Sequence, residues 1–309
     1  MRRVRNARRV RDRIMLGIAV ALLFGGLAVW VGMGRTTDLG DDRRRYVEAM
    51  REPPALGVDL HAADPRGTAA LDAFRRAGLG EAPLRILLTR DHTAVVGVGI
   101  AARDAIRVWT ALHDVADTTH LYPVILGDGF SLARQTDAAA HTSETVESVL
   151  RRASAMDLDA WLATRPTPEP GTPIAVAPHE ERFESVLDPV LGVPVLDVAI
   201  ALLPIGRSAD APAWLAFGNW RGCPEPAVHV AMLRRLEELA HVELVAITAD
   251  RIELRVVSPP TDESARDHIA ELLARWDEAA FARERATIAS WSATLVTSRS
   301  WSLSFAHSR

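Results

Sequence analysis

Residues Trp214–Pro260 have the sequence WLAFGNWRGCPEPAVHVAMLRRLEELAHVELVAITADRIELRVVSPP. The apolar, aromatic run Trp214–Phe217 predicts a short buried strand, and the glycines that follow it predict a turn. Pro226 fixes a helical φ and suits the first position of a helix. Apolar residues then recur every three or four positions, which predicts an amphipathic helix that ends near Ala240.

The second half of this stretch predicts a β-hairpin. Two β-branched, apolar runs, Val242–Ile247 and Ile252–Val257, flank the residues Ala249-Asp250, which suit a tight turn. In the second run, apolar side chains alternate with Glu253 and Arg255. This alternation predicts a strand with one face in the core and Glu253 on the face toward water.

The order of these motifs resembles a known protein family. The chain contains, in sequence, PI-x-R, APAWLAFG-x-W-x-x-CP-x-P-x-x-HVA-x-LRR, ELVAIT-x-D-x-IELRV and PP. This run is similar to the bacterial family called domain of unknown function 4253, and the resemblance extends over Pro194–Phe305. Arg221 stands where the family usually has asparagine, and Leu236 stands where it usually has tryptophan. The resemblance implies an architecture for the C-terminal third of the chain and no mechanism.

The charges divide the chain into a basic tail and an acidic body. All 36 basic residues are arginine, and the net charge of the 309 residues is −4. Residues 1–13 carry seven arginines and one aspartate, so the rest of the chain is distinctly acidic. An acidic body argues against a nucleic-acid partner.

The basic tail precedes a segment long enough to cross a membrane. Ile14–Met33 is twenty residues long and has no charged side chain, and as a helix it would span about 30 Å, the thickness of a bilayer core. A cleaved signal peptide is the alternative, although its apolar region is usually shorter. The arginines before the segment predict a cytoplasmic N-terminus, with the rest of the chain outside a bacterial cell membrane.

The predicted fold is an α+β (mixed α/β) globular domain preceded by this single N-terminal transmembrane helix. Helical and strand patterns are mixed without strict alternation, which favours α+β. Proline and glycine clusters suggest the boundaries. The predicted segments are a basic cytoplasmic tail over 1–13, a transmembrane helix over 14–33, a juxtamembrane spacer over 34–83, an α/β region over 84–165, a proline-rich linker over 166–193 and a C-terminal α+β domain over 194–309.

Cys223 and His229 are the candidate catalytic residues. Cys223 lies just before the predicted helix, where the partial positive charge of the helix N-terminus favours a thiolate. His229 follows six residues later and could act as the base that a cysteine nucleophile needs. The simpler interpretation is that Cys223 is a small buried apolar residue and that His229 packs on an amphipathic helix.

The turn itself supplies the candidate binding residues, which are Trp220, Asn219 and Arg221. An aromatic side chain on a rigid turn is a common anchor for a protein partner. The alternative interpretation is that Trp220 closes the end of the core. No closely spaced histidine or cysteine pair indicates a metal site, and no motif indicates a cofactor.

The first functional hypothesis is a membrane-anchored, non-enzymatic binding or interaction module with an anchor in the lipid bilayer at residues 14–33. The alternative is a cysteine-dependent enzyme that uses Cys223 with His229. A purely structural domain of an envelope assembly is a third possibility. The lone cysteine excludes an intramolecular disulfide and gives no information on the redox compartment.

Overall fold

A computed structural model describes residues 58–59, 65–80, 83–172, 181–188, 191–220, 222–284 and 286–305 of the chain. The predicted basic tail, the predicted transmembrane helix Ile14–Met33 and the first part of the predicted spacer lie outside these residues. Among the helices that the structure does describe, none has the length and apolar character needed to cross a membrane.

The described residues form a mixed α+β domain built on one sheet. Its strands are β1 (Val58–Asp59), β2 (Leu84–Arg90), β3 (Thr93–Ala101), β4 (Tyr122–Gly127), β5 (Asp197–Leu203), β6 (Val242–Ile247), β7 (Arg251–Val256) and β8 (Ser300–Ser304). Their order across the sheet is β1-β2-β3-β5-β4-β6-β7-β8. Neighbours are antiparallel except β4 and β6, which are parallel.

Helices of varied length connect these strands. They are α1 (Pro65–Arg76), α2 (Ala105–His113), α3 (Ala116–Thr119), α4 (Gly129–His141), α5 (Val146–Ala155), α6 (Leu158–Ala163), α7 (Ala211–Trp214), α8 (Pro226–Ala240), α9 (Glu263–Trp276), α10 (Glu278–Glu284) and α11 (Ile288–Thr297). Short 3₁₀ turns occupy Ala102–Asp104, Glu184–Val186 and Ser208–Asp210.

The centre of the sheet is covered on both faces. Every residue of β4 is buried, and so is every residue of β5 after Asp197. Because successive side chains of a strand point to opposite faces, complete burial requires packing on both sides. The apolar sequences of these two strands, YPVILG and DVAIALL, suit that position.

The predicted division into two regions with a linker is corrected by the sheet. Strand β5, from the predicted C-terminal domain, lies between β3 and β4, which belong to the predicted 84–165 region. One hydrophobic core contains residues of both regions. The predicted spacer also contributes, since β1 pairs with β2 and Phe74 of α1 is buried in the core. The described residues between Val58 and Phe305 are therefore part of one folded unit.

The helix and the hairpin predicted within Trp214–Pro260 are present, while the first predicted strand is not. Helix α8 and the strands β6 and β7 lie at or within one residue of their predicted positions. Trp214–Phe217 is not a strand, because Trp214 ends the short helix α7 and the following residues are irregular. In the middle of the chain, α5 and α6 separate at Met156, and the side chain of Asp157 caps α6.

Glu253 departs from the predicted alternation on β7. Its side chain is fully buried, although the pattern places it toward water. The carboxylate accepts hydrogen bonds from the backbone N–H groups of Glu184, at 2.6 Å, and Ser185, at 3.1 Å. These donors satisfy a buried acceptor and fix the 3₁₀ turn Glu184–Val186 against the sheet.

Gly97 allows the close approach of β3 and β5, which gives a test of the fold. An added Cβ at Gly97 would lie 2.2 Å from the carbonyl oxygen of Ile200 and 2.4 Å from Cδ1 of Leu87. We expect Gly97→Ala to lower the free energy of unfolding by at least about 2 kcal/mol in urea denaturation, because a backbone atom must move. Gly206→Ala is the matched control, since its Cβ would meet nothing within 4 Å. Equal stability of the two variants would contradict the described pairing.

Candidate functional site

The segment Phe217–Pro224, which we call the 217–224 loop, connects α7 to α8. The backbone N–H of Asn219 donates to the carbonyl oxygen of Pro224 at 2.9 Å, and that of Cys223 donates to the carbonyl oxygen of Trp220 at 2.6 Å. Gly218 has a φ of 116°, and a Cβ there would lie 2.2 Å from the same Pro224 oxygen. The turn therefore requires glycine at position 218 on both conformational and steric grounds.

His229 lies beneath this loop, on the first turns of α8. Pro226 starts the helix, as predicted, and His229 is completely buried. The indole N–H of Trp276 points to Nδ1 of His229 at 3.1 Å. Because an indole N–H can only donate, Nδ1 must accept and carries no proton. The proton of the neutral imidazole is then on Nε2, which donates to the carbonyl oxygen of Pro224 at 3.1 Å.

Aromatic rings enclose the His229 imidazole. The ring centroids of Phe217 and Phe305 lie 4.9 Å and 4.8 Å from it, and that of Trp276 lies 5.6 Å away. Burial in this apolar setting lowers the pKa of His229 to about 3, against a smaller opposing effect of its hydrogen bond to Pro224. The imidazole is therefore neutral at physiological pH.

Cys223 and His229 are brought together, as the sequence spacing predicts. The Sγ atom of Cys223 lies 3.4 Å from Nε2 of His229. The predicted effect of the helix N-terminus on the thiol is overturned by burial, since Cys223 is only 9% exposed. Burial raises the pKa of Cys223 well above its usual range, and the carboxylates of Asp277 and Asp250 raise it further. Cys223 is a protonated thiol beside an imidazole nitrogen that already carries a proton.

The three predicted binding residues lie in or beside the turn. Asn219 is exposed, with a φ of 68°, which asparagine tolerates better than most residues. Trp220 is half-buried and packs edge-on against Phe217, with 4.9 Å between the ring centroids. Arg221 lies outside the described residues.

Two features of this region were not predicted. Trp276 is not among the predicted site residues, yet it selects the tautomer of His229 from 47 residues away in the sequence. A cleft of about 290 Å³ borders Cys223 and is lined also by Arg165 and by residues around Trp276. No sequence pattern links these distant segments. Among the described residues, no group of three or more histidine, cysteine or acidic side chains is placed to hold a metal ion.

The lowered pKa of His229 predicts a specific dependence of stability on pH. Between pH 6.5 and about 3, the unfolded chain binds a proton on this histidine that the folded chain does not bind. The contribution of His229 to the free energy of unfolding is therefore fully present above pH 6.5. It falls by up to about 1.4 kcal/mol per pH unit as the pH decreases toward the pKa of the folded state.

We expect His229→Gln to remove this slope, so that the difference in unfolding free energy between the wild type and the variant shrinks from pH 7 to pH 4. Urea denaturation at several pH values measures it. His141→Gln is the control, because the His141 side chain is 77% exposed. Wild-type and His229→Gln curves that run parallel over this range would contradict a buried neutral imidazole.

Comparison with known proteins supports the resemblance found in the sequence. No curated protein and no solved structure matches the chain significantly. The matched family model begins within β5 and ends directly after β8, so it includes the 217–224 loop, His229 and Trp276. Residues 199–305, the C-terminal third of the chain, match the family described as Domain of unknown function (DUF4253).

Proposed function

We propose that this protein is a non-enzymatic binding module that presents the 217–224 loop to a protein partner. We further propose that a single helix at Ile14–Met33 anchors it in a bacterial cell membrane, with its N-terminus in the cytoplasm and its folded domain outside. The observation that carries the first proposal is the hydrogen bond from Trp276 to Nδ1 of His229.

That hydrogen bond leaves His229 without a free nitrogen to accept the thiol proton. Nδ1 is occupied by the indole, and Nε2 carries the proton that it donates to Pro224. A general base must have a lone pair within reach of the proton that it removes. The two residues that most resemble a catalytic pair are therefore in unreactive states, which favours a structural role for both.

The same contacts make the 217–224 loop a preorganised surface. The carbonyl oxygen of Pro224 accepts from both Asn219 and His229, which joins the loop to the buried core. A rigid loop loses little conformational entropy when it binds a partner. Trp220 is half-exposed on this loop, and aromatic side chains dominate the energetics of protein interfaces.

The membrane anchor is supported by the sequence. Residues 14–33 contain no charged side chain, and seven arginines precede them. A segment of this length and composition is typical of a bilayer-spanning helix, and its basic flank favours the cytoplasmic side.

A cysteine-dependent enzyme remains the second candidate, because Sγ of Cys223 lies only 3.4 Å from the imidazole and also borders a cleft. Alkylation separates the two functions, since Cys223 is the only cysteine. We expect iodoacetamide at pH 7.5 to modify the folded protein at least about tenfold more slowly than the urea-unfolded protein, because burial keeps the thiol protonated. Modification of the folded protein that is faster than that of the unfolded chain would support the enzyme.

Site-specific photocrosslinking tests the binding surface. The chain contains no lysine for amine-reactive reagents, so we would place a photoreactive phenylalanine analogue at Trp220 in living bacterial cells. We expect a discrete protein adduct from position 220 and none from Phe130, an aromatic side chain that is 37% exposed on a different element.

The substitution Trp220→Ala measures how much this side chain contributes to the affinity for the captured partner. We expect it to weaken binding of the captured partner by tenfold or more, equivalent to about 1.4 kcal/mol. The thermal unfolding midpoint should change little, because Trp220 is only half-buried. Absence of an adduct at position 220, or equal labelling from position 130, would argue against the proposed surface.

A further inference from the structure

The cleft beside Cys223 lies between the 217–224 loop and the end of α9, and Trp220 is not among its lining residues. Its volume is about 290 Å³, near the lower end of the range for small-molecule sites. Its apolar lining includes Trp276, Ala279 and Phe305, and its charged lining includes Arg165 and Glu278. The cleft is therefore small and partly apolar, and both basic and acidic side chains line it.

Arg165 is a preorganised cation at this cleft. Its guanidinium carbon lies 4.2 Å from the centroid of the Trp161 ring, a stacking contact that restricts the side chain. Among the described residues, its guanidinium has no hydrogen-bond acceptor and no carboxylate within ion-pair distance. A guanidinium that lines a cleft without a carboxylate partner from the protein can form a bidentate pair with the carboxylate of a ligand.

Glu278 supplies the opposite charge. It is exposed at the start of α10, and no ion pair or hydrogen bond of its carboxylate occurs among the described residues. Arg165 and Glu278 thus line one cleft without forming an ion pair with each other. A ligand with a negative and a positive group could occupy the space between them.

The other two charged residues of the cleft are already used by the protein. Arg275 donates to the carbonyl oxygen of Leu162 at 3.1 Å and pairs with Glu271 at 2.5 Å. Asp277 caps α10 by accepting the backbone N–H of Ala280 at 3.1 Å. These contacts leave Arg165 and Glu278 as the residues for ligand recognition.

We propose that this cleft binds a small zwitterion of the amino-acid type. The carboxylate of the ligand pairs with Arg165, its ammonium group faces Glu278, and an apolar side chain contacts Trp276, Ala279 and Phe305. The two carboxylates in the lining, Asp277 and Glu278, disfavour a phosphate dianion, which concentrates two negative charges in one group. This inference is independent of the proposed partner surface at Trp220.

The test uses the full-length protein purified in detergent and the probes L-leucine, N-acetyl-L-leucine and L-leucinamide. The two derivatives remove the ammonium charge and the carboxylate charge respectively. We expect saturable binding of leucine by titration calorimetry, a rise in the thermal unfolding midpoint of about 2–4 °C near saturation, and at least tenfold weaker binding of either derivative.

Three substitutions test which residues supply the charges. Arg165→Gln and Glu278→Gln should each weaken leucine binding at least tenfold, while Arg165→Lys, which keeps the charge and loses the planar fork, should have an intermediate effect. Arg151→Gln and Glu147→Gln are matched controls. These two side chains lie on the exposed face of α5, with 3.8 Å between the guanidinium nitrogen and the carboxylate oxygen. The controls should bind leucine as the wild type does.

Several results would overturn the proposal. These are the absence of saturable binding for leucine, valine, methionine and phenylalanine alike, equal binding of N-acetyl-leucine, or wild-type affinity in Arg165→Gln with an unchanged unfolding midpoint. Preferential binding of inorganic phosphate would also overturn it. None of these results would affect capture of a protein partner at Trp220, so the two proposals fail separately.

Discussion

The hydrogen bond from the Trp276 indole to Nδ1 of His229 determines the arrangement of the C-terminal third of the chain. An indole N–H can only donate, so Nδ1 must accept and the proton of the buried neutral imidazole is on Nε2. Nε2 then donates to Pro224, whose carbonyl oxygen also accepts from Asn219. One contact between α9 and α8 thereby fixes the backbone of the 217–224 loop, which packs so closely that position 218 has no room for a side chain.

The energetics of this network explain why it restrains the loop. A buried polar group costs little when it is satisfied and much when it loses its partner, so removal of either ring leaves a buried donor or acceptor unpaired. The aromatic rings around His229 exclude water, which would otherwise replace the lost partner. The same exclusion lowers the pKa of the imidazole and raises that of the Cys223 thiol. Burial therefore accounts both for the restraint on the loop and for the two shifted pKa values.

The sequence predicted features that depend on near neighbours. Pro226 marked the start of α8, the alternating apolar residues marked the hairpin, and the six-residue spacing brought Cys223 to His229. The sequence did not predict features that depend on residues far away in the chain. Glu253 is buried because backbone N–H groups 68 and 69 residues away donate hydrogen bonds to its carboxyl group, and no local pattern contains that information. Likewise, the region 84–165 appeared separate because the position of β5 between β3 and β4 depends on pairing across about a hundred residues.

The same limit applies to the chemistry of the candidate site. From the sequence, a cysteine ahead of a helix and a histidine within that helix are compatible both with a catalytic pair and with the simpler interpretation of two packed side chains. Two observations favour packed side chains, namely the hydrogen bond from Trp276 to Nδ1 of His229 and the burial that raises the pKa of the thiol. Arg165 and Glu278, which border the cleft, come from distant segments of the sequence and have no shared motif. In our proposal, this surface serves recognition, because rigid elements position charged and aromatic side chains before a ligand or partner binds.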